Sequence, residues 1–161
     1  MNATHSETEV PVPSITAMRA QAGWFLDQRT LPRHQTTKLM GQDCHGFLEH
    51  LIAQVERLAS ERPKDDVPAN VALAAVNEAQ IRMNEPEAAG LQGEVERVQR
   101  LARSVLSLAD HHDHLTGITM CVVCDRVIEA GEESVRHDDA SPSCGAARSG
   151  RIHPECASRR R

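Results

Sequence analysis

The sequence predicts an all-α fold, an antiparallel four-helix bundle with a small C-terminal β-hairpin module, and three observations predict it. Apolar side chains recur at three- and four-residue spacing through most of the chain up to residue 114, the period of helices that bury one face. Aromatic residues are only 2% of the 161, namely Trp24, Phe25 and Phe47. The core must therefore come from Leu, Val, Ile, Ala and Met, which suits packed helices better than a β-sandwich. After Met120 the character changes, and cysteines, glycines and short β-like runs replace helix formers.

Residues 1–13 are polar, with Pro11 and Pro13, and read as a disordered tail. They lack the basic stretch and apolar run of a secretory signal. No apolar run reaches the roughly 20 residues that span a bilayer, so a soluble, cytoplasmic protein without a membrane partner is expected. The bundle is expected over 14–114. Ser14 is placed to cap a first helix over 15–29, which Leu31-Pro32-Arg33 ends. A second helix over 37–60 carries Met40, Cys44, Phe47, Leu48, Leu51, Ile52, Val55, Leu58 and Ala59 on one face. Cys44 falls on that stripe as a small core residue. The loop 63–68 leads to a third helix over 69–83, with Ala72, Val76, Ala79 and Met83 on one side. The fourth, over 91–112, has the clearest stripe: Leu91, Val95, Val98, Leu101, Ala102, Val105, Leu108 and Ala109. Glu94, Glu96, Arg97, Arg100 and Arg103 are expected on its solvated outer face. Short loops should keep sequential helices adjacent.

A linker is expected over 115–120 and a metal-binding module over 121–161. Cys121-Val-Val-Cys124 and His153-Pro-Glu-Cys156 each separate two ligand-type side chains by two residues, which lets one tight turn aim both at a single ion. Two such pairs match the four nitrogen and sulfur ligands of tetrahedral zinc. In a reducing compartment such cysteines point to metal rather than to disulfides. The tail has no aromatic residue, so metal binding must supply the folding energy that burial cannot. Four protein ligands leave no open position for water, so structural Zn²⁺ on Cys121, Cys124, His153 and Cys156 is expected, and no catalytic residue is assigned. Between the pairs, 127–135 reads as a hairpin turning at Ala130-Gly131, with a second turn at Ser149-Gly150 and Pro154 opening a short helix. Cys144 stands in a Ser-Pro-Ser-Cys-Gly loop without a partner at pair spacing and reads as a free cysteine, the alternative being that it replaces His153 as a ligand. The order of these features resembles a treble-clef zinc finger. It departs in a 28-residue gap between the pairs and in leaving only 157–161 for the final helix.

Other polar clusters have simpler readings. Asp110-His111-His112-Asp113-His114 ends the fourth helix, where histidines complement the helix dipole. His45 and Glu49 read as a surface pair. Asp65 and Asp66 precede the third helix and complement its positive end. From Leu115 on, seven acidic and seven basic residues balance, and the net charge of the chain is −5. With no stacking aromatic in the tail, these argue against a nucleic-acid partner.

Leu31-Pro32-Arg33, Pro63-Lys64-Asp65-Asp66-Val67-Pro68, Val71-Ala72-Leu73-Ala74 and Val98-Gln99-Arg100-Leu101-Ala102-Arg103-Ser104-Val105 resemble a domain-of-unknown-function family of high-GC actinobacteria, labelled natural-product biosynthesis proteins. The likeness spans most of 15–114. It departs at Ala109-Asp110-His111-His112, where the family's run has a cysteine and an aromatic. No reaction or catalytic residue comes with it. The function expected is a non-enzymatic accessory or regulatory protein with a protein partner, its zinc module serving stability or docking. The alternatives are an enzyme of specialised metabolism with a site in the bundle, and a nucleic-acid-binding regulator using Arg126, Arg136, Arg148 and Arg151.

Overall fold

A computed structural model describes residues 11–129, 131–139 and 148–158. Four helices pack together: α1 (Ile15–Leu26), α2 (His34–Ser60), α3 (Val67–Met83) and α4 (Gly90–Thr116). Then come β1 (Thr119–Met120), β2 (Val127–Ile128), β3 (Val135–Asp139), β4 (Arg148–Ile152) and α5 (Pro154–Ser158). None of the described helices is long and apolar enough to cross a membrane. Residues 1–10 of the expected tail lie outside the described residues, and 11–13 have no regular structure.

Local chemistry accounts for the helix ends. Ser14 accepts a hydrogen bond from the Ala17 N–H, and Asp66 accepts one from the Ala69 N–H at 3.0 Å, each satisfying an amide that the first turn leaves without an intrahelical partner. α1 stops three residues before the expected end, and α2 begins three residues earlier than expected. α4 runs to Thr116 and closes on Gly117 at φ 75°, with the Ile118 N–H bonded back to the Asp113 carbonyl at 2.9 Å. Glycine adopts that left-handed conformation without a Cβ clash. Of the linker expected over 115–120, only Gly117 and Ile118 lie outside regular structure.

α4 is the centre of the bundle and packs against α1, α2 and α3. Phe25, Met18, Leu48, Leu51, Leu101 and Leu108 are fully buried in one continuous cluster. Cys44 lies in it, its thiol pushed up to about 12, first by burial and then by Asp43. Sequential adjacency fails at one place: α1 packs chiefly on α4 and touches α2 only marginally. Met18, Ala22 and Phe25 are buried there, and Arg19 forms ion pairs with Asp110 and with Asp113, the latter at 2.5 Å. The run 110–114 thus anchors a neighbouring helix besides ending its own.

Arg97 corrects another expectation. It is not on the solvated face but only 6% exposed, and its guanidinium bonds Glu94 at 2.9 and 2.5 Å. It lies four residues before Leu101 and three after Glu94, on the stripe facing α2. Gly41 of α2 faces this region: a Cβ at 41 would crowd Val98 at 3.2 Å and meet the guanidinium in ordinary contact at 3.7 Å. Burial of so strong a cation requires such a partner. His45 is no surface pair with Glu49 either. Its ring spans from the Gly41 carbonyl at 3.0 Å to the Met83 carbonyl at 3.1 Å, tying α2 to the end of α3.

The strands pair differently from the expected hairpin. β1 pairs with β2, antiparallel, Thr119 opposite Ile128 and Met120 opposite Val127. β3 pairs with β4, from Val135 opposite Ile152 to Asp139 opposite Arg148. The chain does turn after β2, where the Glu132 N–H meets the Glu129 carbonyl at 2.9 Å, although Ala130 lies outside the described residues. Yet Val127 and Val135 are not partners. The Cys-Val-Val-Cys turn reverses the chain and makes the strand before it the nearest neighbour of the strand after it. Ser149 and Gly150 are not a turn but part of β4.

Candidate metal centre

Each ligand-type side chain of the C-terminal module is delivered by a backbone feature that short-range chemistry explains. Cys121 and Cys124 stand on the turn between β1 and β2. The Asp125 N–H bonds the Cys121 carbonyl at 2.9 Å, and the Cys121 N–H bonds the Arg126 carbonyl at 2.8 Å. Asp125 takes a left-handed φ of 54°, which aspartate tolerates better than most residues. The Val122 N–H bonds the Arg151 carbonyl at 3.2 Å, fastening this turn to β4. Gly150 is required at that contact, since a Cβ there would lie 2.5 Å from Val122 Cγ1. β4 leads into His153, and Pro154 opens α5, where proline's missing N–H costs nothing. One turn later stands Cys156, whose N–H bonds the His153 carbonyl at 3.0 Å.

These pieces bring one ligand atom each from Cys121, Cys124, His153 and Cys156 within 4.8 Å of one another. All four positions expected from the sequence are therefore brought together. His153 Nδ1 lies 3.4 Å from Cys124 Sγ and 3.9 Å from Cys156 Sγ. Metal–sulfur bonds of about 2.3 Å and metal–nitrogen bonds of about 2.0 Å at tetrahedral angles put nitrogen and sulfur roughly 3.5 Å apart. The far nitrogen, Nε2, faces the Val127 carbonyl at 3.2 Å and Glu132 Oε1 at 3.7 Å. A proton on Nε2, donated to that carbonyl, leaves the Nδ1 lone pair aimed into the cluster. Cys121, His153 and Cys156 are buried and Cys124 is half-buried, and Ile128 and Ile152 complete a small apolar cluster with the cysteines.

The protonation of the cluster is uneven. Burial pushes the Cys121 thiol up, but the N–H groups of Cys124, His153 and Val123 outweigh it and hold it down at about 6. The Arg126 backbone lowers Cys124. Cys156 is pushed up to about 11, first by burial and then by the two other sulfurs. His153 is raised, since hydrogen bonds to Cys121 and Cys124 outweigh burial. Burial and the two neighbouring sulfurs thus act together against a charge on Cys156, and a dication among the sulfurs would oppose both.

Among the described residues this is the one group of three or more metal-ligand side chains that converge so closely. Cys144 lies outside the described residues, and His137 stands within β3. In the 110–114 run, His112 Nδ1 lies 3.5 Å from Asp113, and burial lowers His111. Buried polar side chains in the bundle are Thr37, Arg97 and Ser104. Sequence reasoning passed over Ser104, which accepts a hydrogen bond from Arg82 of α3 at 2.9 Å. Of the arginines suggested for nucleic acid, Arg126 pairs with Glu155 at 3.3 Å and Arg151 bonds Ser134.

A helical bundle carrying a four-residue cysteine and histidine cluster is the class these features define. Residues 16–117 match a family of unknown function, DUF6415, and the chain belongs to that family. The match covers the four helices and ends before Cys121, so the cluster lies beyond the matched region. No curated protein and no solved structure matches the chain.

Proposed function

We propose that Cys121, Cys124, Cys156 and Nδ1 of His153 hold one structural zinc ion, and that the protein is a non-enzymatic accessory or regulatory protein whose zinc module docks a protein partner or stabilises the C-terminus. The convergence of four ligand atoms within 4.8 Å carries this reading. Three thiolates and one imidazole are a borderline-soft set suited to zinc, and they fill a tetrahedral shell. When bound, the metal supplies cross-linking rather than an activated water. The order of a Cys-Val-Val-Cys turn, an antiparallel hairpin and a short helix that begins between His153 and Cys156 supports a treble-clef reading of the module. An association with natural-product biosynthesis is part of the proposal and rests on the sequence resemblance alone.

Elemental analysis of the purified full-length protein tests this. About one zinc per chain is expected in the parent and in Cys144→Ser, and loss of it in Cys121→Ser and His153→Ala. Metal kept in His153→Ala but lost in Cys144→Ser would replace the fourth ligand. A metal-free parent that keeps its C-terminal amides protected would end the zinc reading.

A further inference from the structure

Between α1, the last turns of α4 and the Cys121–Cys124 turn lies an open groove of about 730 Å³, within the roughly 300–1,000 Å³ of small-molecule sites. Ala20, Gly23 and Leu26 of α1 and Leu106 of α4 form its apolar floor, and Met120 and Val122 stand against them. Gly23 sits within α1, where glycine is a poor helix former. A Cβ there would meet nothing within 4 Å, so internal packing does not demand the glycine, and its absent side chain leaves the floor open.

The charge around the groove is one-sided. Asp27, Asp110 and Asp125 line it against a single cation, Arg19. That guanidinium is already held by Asp110 and Asp113. Asp27 and Asp125 are exposed to solvent, and neither is in an ion pair with a described residue. Apolar floor and exposed carboxylates outside any ion pair together complement a ligand with a hydrocarbon body and one positive charge.

We infer that this groove binds an organic cation, an apolar ammonium compound whose hydrocarbon part lies over Gly23 and whose head is held by Asp27 and Asp125. Because Met120 and Val122 form one wall, the inference rests on the zinc-held module. The zinc-loaded full-length protein is titrated with naphthylmethylammonium and, separately, with naphthylacetate, following the amide resonances of Gly23 and Val122 by NMR. Zinc content is measured on the same sample. Saturable shifts with the ammonium and none with the carboxylate are expected. Asp27→Asn and Asp125→Asn should each weaken binding roughly two- to fivefold, the weight of one exposed ion pair. Gly23→Leu, which fills the floor with a better helix former, should abolish binding while the helical signal is kept. Equal binding of both probes, binding of neither, or full binding by Gly23→Leu overturns the site. If that failure comes from protein holding about one zinc per chain, the groove alone is wrong; if the protein holds none, the metal reading has failed and the groove falls with it.

Discussion

The bundle and the cysteine-rich module solve the same problem with different means. In the bundle, Phe25, Leu48, Leu51, Leu101 and Leu108 lie fully buried in one cluster that all four helices share, and apolar burial is enough to order the chain. In the module the buried cluster is Cys121, Ile128, Ile152 and Cys156, so half of its core consists of thiols. Two isoleucines cannot offset the conformational entropy of ordering four short strands and a helix of five residues. One region is held by many weak contacts and tolerates the loss of any one in part. On the proposed zinc reading the other depends on a single centre, and its loss is expected to be all-or-none.

Removing the metal should expose that contrast most strongly. A chelator at neutral pH is expected to withdraw about 10–16 kcal/mol of apparent stabilisation from the module. The amides of Cys121, Val122 and Ile152 should lose protection from exchange while circular dichroism keeps the helical signal. Protected module amides after removal would erase the distinction between the two regions.

Leu101→Ala should act on the other side. Leu101 is fully buried in α4, and its truncation is expected to cost about 2–5 kcal/mol in denaturant unfolding of the bundle. The zinc stoichiometry of the folded protein should stay the same. Loss of metal in that variant would mean that the two regions fold as one unit.

Gly150→Val should reach the module without touching a sulfur. Its Cβ would fall 2.5 Å from Val122 Cγ1, so either the stiff Val122 side chain or β4 must shift, at about 1–3 kcal/mol. Weaker zinc binding in competition with a chromophoric chelator, with an unchanged unfolding midpoint for the bundle, is the expected result. Zinc affinity equal to the parent's would show that the contact between β4 and the turn has slack.

The smallest effect belongs to pH. The hydrogen bond from Arg97 holds Glu94 below its ordinary 4.5. A carboxylate depressed in the folded state stabilises above its unfolded pKa, and the contribution is lost as pH falls through the folded value. Glu94→Gln should therefore lower bundle stability at neutral pH, and the gap to the parent should narrow as pH falls below the ordinary 4.5 and close only below the lowered folded value. Urea midpoints that stay a constant distance apart into acid would show no linkage through this pair.

Much of this was legible in the residues. The α4 stripe from Leu91 to Ala109 repeats at helical spacing, and Ser14 caps where a capping side chain stands before an apolar run, because both signals act within one or two turns. The close approach within each pair, Cys121 with Cys124 and His153 with Cys156, was legible for the same reason, since a two-residue gap dictates how two side chains of one turn can point. Arg97 was not legible. Its charge said exposed, and only the pairing with Glu94 on the preceding turn lets it lie buried. His45 was missed because its second partner, the Met83 carbonyl, is 38 residues away.

By itself, then, the sequence determined the four helices of the bundle, the apolar stripes of the second, third and fourth in outline, and which side chains of one turn can point together, all properties of spacing over a few residues. Tertiary structure decided that α1 rests on α4 rather than α2, that β2 pairs backward with β1 while β3 pairs forward with β4, and that a groove with surplus negative charge opens beside the Cys121 turn. Those outcomes depend on which distant surfaces complement each other, and local periodicity carries no record of that choice.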